Sequence, residues 1–447
     1  MKKKHRHIST SQFIFLGFLF TIVIGGLILM LPFASSDGTV TSFIDAMFTA
    51  TSATCVTGLI VQDTATYWSG FGQAVILFLI QIGGMGVITI ALLLTMMSGR
   101  KISLRQRTLM QEAISAPKMG GIVKLTGFIF KAIIMIEALG AVFMFPVFYK
   151  EFGVLKGIWY SIFHSISAFC NAGFDLMGIK EKYSSLTTLS GNVTINIVIM
   201  VLVVVGGLGF ITWEDIKENK LHFRKYKMQS KVILSVTVLL LIVPTIYFYF
   251  CEFRLGKWGD MSTSNKVMAS FFTSVTTRTA GFNTVDFSKL TGAGQMVMIM
   301  LMLIGGAPGS TAGGMKVTTI AVLFAAAFAV FSKKRDAHFF KRRIATEIIA
   351  RAATILLMYV VLFILSAIAI STIEGLPITD VMFETASAVG TVGLSLGLTP
   401  GFGIVSKIIL MILMFFGRVG GLTIIFATVS GNHGNLVKLP EEKIMVG

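Results

Sequence analysis

Four segments of the chain close on a nearly repeated phrase whose fixed points are a phenylalanine and a glycine. They run Phe48 to Gly58, Phe163 to Gly173, Phe271 to Gly281 and Phe383 to Gly393. Each glycine lies ten residues after its Phe, is followed by Leu59, Phe174, Phe282 or Leu394, and stands 115, 108 or 112 residues from the next. Glycine permits a left-handed or extended turn and keeps side chains away from neighbouring carbonyl oxygens. Four such loops about one axis could offer rings of carbonyls, the groups that replace the hydration shell of an alkali cation. The candidate ligands for such a cation are the backbone oxygens of Val56, Thr57 and Gly58, of Asn171, Ala172 and Gly173, of Thr279, Ala280 and Gly281, and of Thr391, Val392 and Gly393. Their side chains differ between repeats, so the backbone would do the coordinating. Glycines that only let helices approach are the competing reading, but packing alone does not call for a Phe at one offset four times. Six residues before each glycine stand Ser52, Ser167, Val275 and Ser387, and three before stand Cys55, Cys170, Arg278 and Gly390. A guanidinium in a cation path would repel the ion, so Arg278 is expected behind its loop, tied to a carbonyl or carboxylate. The four phenylalanines are expected to pack their segments against neighbours.

These loops need apolar elements around them. With 447 residues, 54% hydrophobic and 13% charged, and a mean hydropathy of +0.83, the chain reads as an integral membrane protein. Apolar stretches near the roughly 20 residues that cross a bilayer fall at about 12–33, 72–98, 123–148, 193–213, 231–251, 294–331, 352–373 and 405–429. The first follows Lys2, Lys3, Lys4 and Arg6 as a signal peptide would, but it belongs to the fourfold pattern and lacks a small-residue cleavage site. Four stretches at about 41–54, 157–170, 266–277 and 379–390 are too short to cross and read as re-entrant half-helices. Irregular backbone at membrane depth is tolerated where it lines a cavity, and the partially negative C-terminal ends of the half-helices would favour a cation there. The expected fold is an all-α integral membrane protein of eight transmembrane helices, in four repeats of helix, re-entrant pore loop and helix about a pseudo-fourfold pore. We read residues 1–447 as one domain with repeats at about 8–99, 120–216, 230–331 and 346–430 and a cytoplasmic tail at 431–447.

Charge orients the chain. Residues 1–7, 100–131, 217–231, 333–351 and 432–447 hold 26 of the 38 Lys and Arg, which places these segments and both termini in the cytoplasm. The net charge of +17 therefore speaks for topology and for anionic membrane lipid, not for nucleic acid. The outer segments carry nine basic residues against twelve acids, among them Asp37, Asp45, Asp63, Asp175, Asp286 and Glu384, a mouth that suits cations. Cys55, Cys170 and Cys251 have neither metal-ligand nor disulfide-framework spacing.

The second spans share paired glycines: Gly83 and Gly84 before Gly86, Gly206 and Gly207 before Gly209, Gly305 and Gly306, and Gly420 and Gly421. Helix packing is the expected role. The third copy departs, since Gly305, Gly306, Ala307, Pro308, Gly309, Ser310, Thr311, Ala312, Gly313 and Gly314 cannot form an uninterrupted helix. At mid-membrane below the glycine loops it reads as a gate, and deleting part of it is expected to raise flux without altering selectivity. Lys316, after this stretch, and Arg418 are span charges that default to function; Arg418 could bond the loop's carbonyls or act as a barrier to cations. Glu137 is expected to neutralise a neighbouring cation, and His164 to pack or hydrogen-bond as a lone His.

Together, Ala53 to Leu59, Phe169 to Phe174, Thr277 to Asn283, Gly390 to Leu394, the glycine-rich break and Gly417 to Gly420 resemble the Trk/Ktr/HKT superfamily, most of all its KtrB-type membrane subunits. The resemblance implies potassium translocation, in some members with sodium dependence. It also implies a gating loop matching Gly305 to Lys316, an inner arginine matching Arg418 that touches it, a homodimer with one pore per subunit, and a cytoplasmic nucleotide-binding regulatory ring. No GxGxxG in a strand-turn-helix setting occurs, so the nucleotide sensor would be another polypeptide and this chain carries no organic cofactor. A secondary transporter of another cation or solute, such as a sodium-coupled symporter, is the alternative, although all four loops enter from one side. An enzyme is not expected, because His-Glu-x-x-His is absent and His164 has no partner pattern.

Overall fold

A computed structural model of the protein describes residues 9–87, 89, 90, 92, 95, 102–114, 120–220, 222–428 and 442. The basic residues Lys2 to Arg6, the far end of the second apolar stretch and nearly all of the tail at 431–447 lie outside the described residues.

The first repeat comprises α1 (Thr10–Leu29), α2 (Phe43–Thr54) and α3 (Gly70–Met85), each opened by a serine whose hydroxyl accepts a first-turn amide: Ser9, Ser42 and Ser69. Then α4 (Leu104–Ile114) leads to α5 (Ile122–Phe169), whose 48 residues would span roughly 72 Å if straight. It is not straight: Gly153, at φ 78° and ψ −174°, separates an apolar span from the half-helix that ends at Phe169. The second repeat closes with α6 (Val193–Gly207) and α7 (Phe210–Asn219), bent by 95° at their junction. The third holds α8 (Met228–Tyr247), a π-turn at Phe248–Glu252, α9 (Thr263–Thr276), α10 (Gly292–Met302) and α11 (Val317–Phe331). The fourth holds α12 (Thr346–Glu374), α13 (Ile378–Gly390), α14 (Ile404–Val419) and α15 (Gly421–Thr428). A hairpin of two-residue strands, His338–Phe339 with Arg342–Arg343, is the one departure from all-α structure among the described residues.

Helices long and apolar enough to cross a membrane number four among the described residues: α1, α5, α8 with its π-turn, and α12, the first helix of each repeat. The second helices are shorter because all four break, which corrects the expectation of continuous helices with one broken copy. Gly86, Gly209 and Gly420 adopt φ of 85°, 84° and 88° with ψ of 128°, 140° and 130°, a conformation closed to ordinary side chains, and the helix before each of them stops there. The third copy replaces that single hinge with the loop between Met302 and Val317. Packing still explains the glycine three residues earlier. A Cβ on Gly83, Gly206 or Gly417 would run into the carbonyl oxygen of Thr54, Phe169 or Val389 at the end of the same repeat's half-helix.

The distribution of polarity reverses that of a soluble protein. Phe20, Phe78, Val142 and Phe143 are 60–67% exposed, whereas Ser52, Thr54, Ser165, Ser167, Thr273 and Thr385 on the half-helices are buried. An apolar exterior around a polar centre suits lipid outside and a polar conduit within.

Candidate functional site

The half-helices α2, α9, α13 and the end of α5 stop together, and the chain then turns through the same conformation four times. Two residues before each repeat glycine, Val56, Asn171, Thr279 and Thr391 have φ of 57°, 59°, 64° and 51°; the glycines follow at 93°, 70°, 79° and 91°. Such values are uncommon for non-glycine residues and strained for β-branched ones, which Val56, Thr279 and Thr391 are. Four left-handed turns in register, three of them on strained β-branched residues, are a constructed feature.

The four glycines form a closed ring. A Cβ built on Gly173 would stand 2.6 Å from the Gly281 Cα and 2.8 Å from the Ala280 oxygen; one on Gly281 would stand 2.7 Å from the Val392 oxygen. One on Gly393 would stand 2.9 Å from the Gly58 Cα and overlap the Thr57 oxygen, and one on Gly58 would overlap the Ala172 oxygen and lie 3.2 Å from the Gly173 Cα. Each repeat thus touches the next in chain order, and the oxygens of Thr57, Ala172, Ala280 and Val392 sit beside the neighbouring glycine. Hard, neutral carbonyl oxygens in a ring suit an alkali cation as transported substrate.

Hydroxyls hold the ring from behind. Ser52 and Ser387 accept the amides of Gly58 and Gly393 at 3.1 and 2.9 Å, and Ser167 donates to the Phe174 carbonyl at 2.6 Å. In the third repeat Thr276 donates to the Phe282 carbonyl. Val275, the residue in register by sequence, has no hydroxyl to do so. The cause is one residue of helix geometry. The amides of Thr57, Ala172 and Val392 bond the carbonyl five residues back, and that of Ala280 bonds Thr276, four back. The same offset corrects the expected packing: Phe48, Phe163 and Phe383 are buried, but Phe271 is 39% exposed and Phe272 takes its place inside.

Arg278 points behind its loop, with Nη2 donating to the Gly305 carbonyl at 2.9 Å. Gly305 opens the third-repeat loop, which runs across the second helices. Gly305 N donates to Met315 O at 2.6 Å, Ala307 N to Gly207 O at 2.9 Å, Gly314 N to Gly417 O at 3.0 Å, and Phe210 N to Gly309 O at 2.8 Å. Ser310 Oγ bonds the Ala307 carbonyl at 2.7 Å, and Lys316 Nζ reaches those of Ala312 and Gly313 at 2.8 and 3.2 Å. Gly306 and Pro308 complete the turn beside Gly209, whose Cβ would lie 2.7 Å from the Pro308 oxygen. Arg418 clamps the loop: Nη1 donates to the Thr311 carbonyl, and Nη2 to Gly83 and, at 3.1 Å, to Gly84 of α3.

Of two other expectations, the cation beside Glu137 is not found and the packed, hydrogen-bonded His164 is. Glu137 has no cation beside it among the described residues; it accepts from Gln81 Nε2 at 3.4 Å, and Cys170 Sγ lies 3.9 Å away. His164 bonds the Tyr160 carbonyl through Nδ1 at 2.7 Å and accepts the Leu176 amide on Nε2 at 3.3 Å, stacked on Phe148. A carbonyl accepts only, so Nδ1 carries the proton. Cys55 and Cys170 are buried and all three cysteines are free.

Among the loops that flank the ring several acids are structural. Asp63 accepts the amides of Ala65, Thr66 and Tyr183; Glu384 accepts from Ser395, Leu396 and Thr399; Asp45 pairs with Lys407 at 2.9 Å. Asp175, two residues beyond Gly173, is different. Burial pushes its carboxyl up to about 7, opposed by the Met177 amide and reinforced by Asp63.

The cation transport protein family TrkH matches residues 9–438. The potassium/sodium uptake protein NtpJ of Enterococcus hirae is 43% identical across 100% of this chain and 99% of its own length. The Ktr system potassium uptake protein B of Bacillus subtilis is 37% identical across 98% of this chain and 96% of its own. The crystal structure of the potassium transporter TrkH from Vibrio parahaemolyticus superposes with a TM-score of 0.70 over 96% of this chain and 86% of that one; at 18% identity it speaks for the fold. A membrane-embedded helical chain with four glycine turns closed on one another, matched over nearly its whole length, belongs to the TrkH family of cation transport proteins and is not an enzyme.

Proposed function

We propose that the chain takes up potassium across the plasma membrane, through a filter made by the carbonyls next to Gly58, Gly173, Gly281 and Gly393. The observation that carries this reading is the closed ring of four glycine turns, each beside the preceding carbonyl of its neighbour. Eight transmembrane helices in four repeats of helix, pore loop and helix surround the path, the second helix breaking at Gly86, Gly209 or Gly420 in three of them and at the loop between Met302 and Val317 in the third repeat, with both termini cytoplasmic. The third-repeat loop, Gly305 to Gly314 with Lys316, is the gate and Arg418 its latch. The names of the two relatives extend to this chain potassium as cargo and sodium as a second ion. A homodimer and a cytoplasmic nucleotide-binding ring complete the proposed assembly. The test is growth of potassium-uptake-deficient cells at low external potassium: rescue is expected, and no rescue by a correctly inserted protein would sink the reading.

Asp175 gives the mouth a pH dependence. Its carboxyl is charged above about 7 and neutral below, so acidification removes a negative charge beside the entrance. Uptake at low external potassium is expected to fall as external pH drops through about 7, and Asp175→Asn should flatten the profile toward the acidic limit. A wild-type profile that Asn leaves unchanged would assign the carboxyl no part in entry.

A further inference from the structure

The loop below the ring and the ring itself are bonded to each other through buried side chains. The amide of Asn171 stands between them. Its Nδ2 donates to the carbonyls of Arg278, at 3.2 Å, and Val203, at 3.4 Å, and its Oδ1 accepts from Thr311 Oγ1 at 2.8 Å. Carbonyls accept only, so the two of them fix the NH2 group on their side and turn the amide oxygen toward Thr311. The hydroxyl has one proton and a second acceptor within reach, the Phe169 carbonyl at 3.1 Å; both acceptors lie where the second half-helix ends. Asn171 and Thr311 are fully buried, so neither has water as a substitute partner. Gly206 makes the space: a Cβ there would stand 2.8 Å from Asn171 Oδ1 and 2.8 Å from Thr311 Oγ1. The loop touches two other strands of the ring as well, through Arg278 on Gly305 and through Gly313 packed against the Thr391 side chain.

The geometry points to Thr311 as a positioning residue for ion selectivity: its hydroxyl, carried on the third-repeat loop, holds Asn171 and with it the left-handed turn of the second repeat in the narrow ring. This rests on the reading of the ring as the filter and the loop as the gate. A loop that moves aside takes the hydroxyl with it, leaves Asn171 Oδ1 unpaired and loosens one quarter of the ring. Selectivity then depends on where the loop is, and a deletion that removes Thr311 should lower selectivity as well as raise flux. That replaces the expectation, drawn from the sequence, of higher flux at constant selectivity.

The test uses full-length protein in cells and compares rubidium with sodium uptake for wild type, Thr311→Val and Thr311→Ser. Valine keeps the β-branched shape and lacks the hydroxyl; serine keeps the hydroxyl. The rubidium-to-sodium ratio is expected to fall about three- to tenfold in valine, the effect of one buried hydrogen bond, and to stay near wild type in serine. If the valine protein does not reach the membrane, Thr311→Ala is read in the same way. A wild-type preference that valine or alanine leaves intact, whatever happens to the rate, overturns the inference and spares the filter. A wild type with no preference for rubidium overturns the filter reading itself. Unchanged flux in Arg418→Ala beside a lowered ratio in Thr311→Val would remove the gate and keep the brace.

Discussion

Replacing Gly173 by Ala is expected to cut rubidium uptake about 100-fold while the protein still reaches the membrane. The new methyl would lie 2.6 Å from the Gly281 Cα, 2.8 Å from the Ala280 oxygen and 3.0 Å from the Gly281 carbonyl carbon. All three are backbone atoms of the adjoining repeat, so no side chain can rotate away. The φ of 70° adds strain that a methyl bears poorly. Either the ring widens or the Ala280 oxygen turns out of it, and about 3 kcal/mol lost from ion passage gives the stated factor. Gly127→Ala is the matched control, because a Cβ there meets nothing within 4 Å; it should leave uptake near wild type. Uptake retained in Gly173→Ala would mean that the ring is not the narrow point of the path.

Arg418→Ala is expected to raise uptake about tenfold. The guanidinium bonds both the third-repeat loop, at Thr311, and the first repeat's second helix, at Gly83 and Gly84. Each is a charge-assisted bond, worth about 1.5–3 kcal/mol, and about 1.4 kcal/mol of lost closure corresponds to a tenfold gain in the open fraction. The loop keeps its backbone bonds from Ala307 to Gly207 and from Gly314 to Gly417, so it should loosen without coming apart. Lysine at 418 brings a point charge without the planar fork and should fall between the two. Lower uptake from well-assembled Arg418→Ala protein would make Arg418 a structural brace for the open path.

The repeat glycines were legible because one residue type recurred at one offset in four otherwise different contexts. So was the orientation of Arg278, since a cation cannot face a cation path. The hinges at Gly86, Gly209 and Gly420 were not legible. An isolated glycine in an apolar run is compatible with a continuous membrane helix, and only the third copy carried a proline and enough glycine to exclude one. The left-handed turns at Val56, Thr279 and Thr391 left no trace either, because β-branched residues are the last that local preference would place there. Tertiary contacts impose them. The one-residue offset in the third repeat misled the pattern directly, for Phe271 matches its counterparts in sequence while Phe272 and Thr276 match them in space. Nor did anything in the run of small residues mark Thr311, whose importance comes from a partner 140 residues away.

The proposed role of the ring of backbone carbonyls is to select and pass an alkali cation. Purified full-length protein in liposomes, with an imposed inside-negative potential, tests it by rubidium influx measured against increasing external potassium and, separately, sodium. Influx without a sodium gradient, strong competition by potassium, weak competition by sodium, and loss of influx in Gly173→Ala are the expected results. Influx that requires a sodium gradient, or that Gly173→Ala leaves intact, would contradict that role.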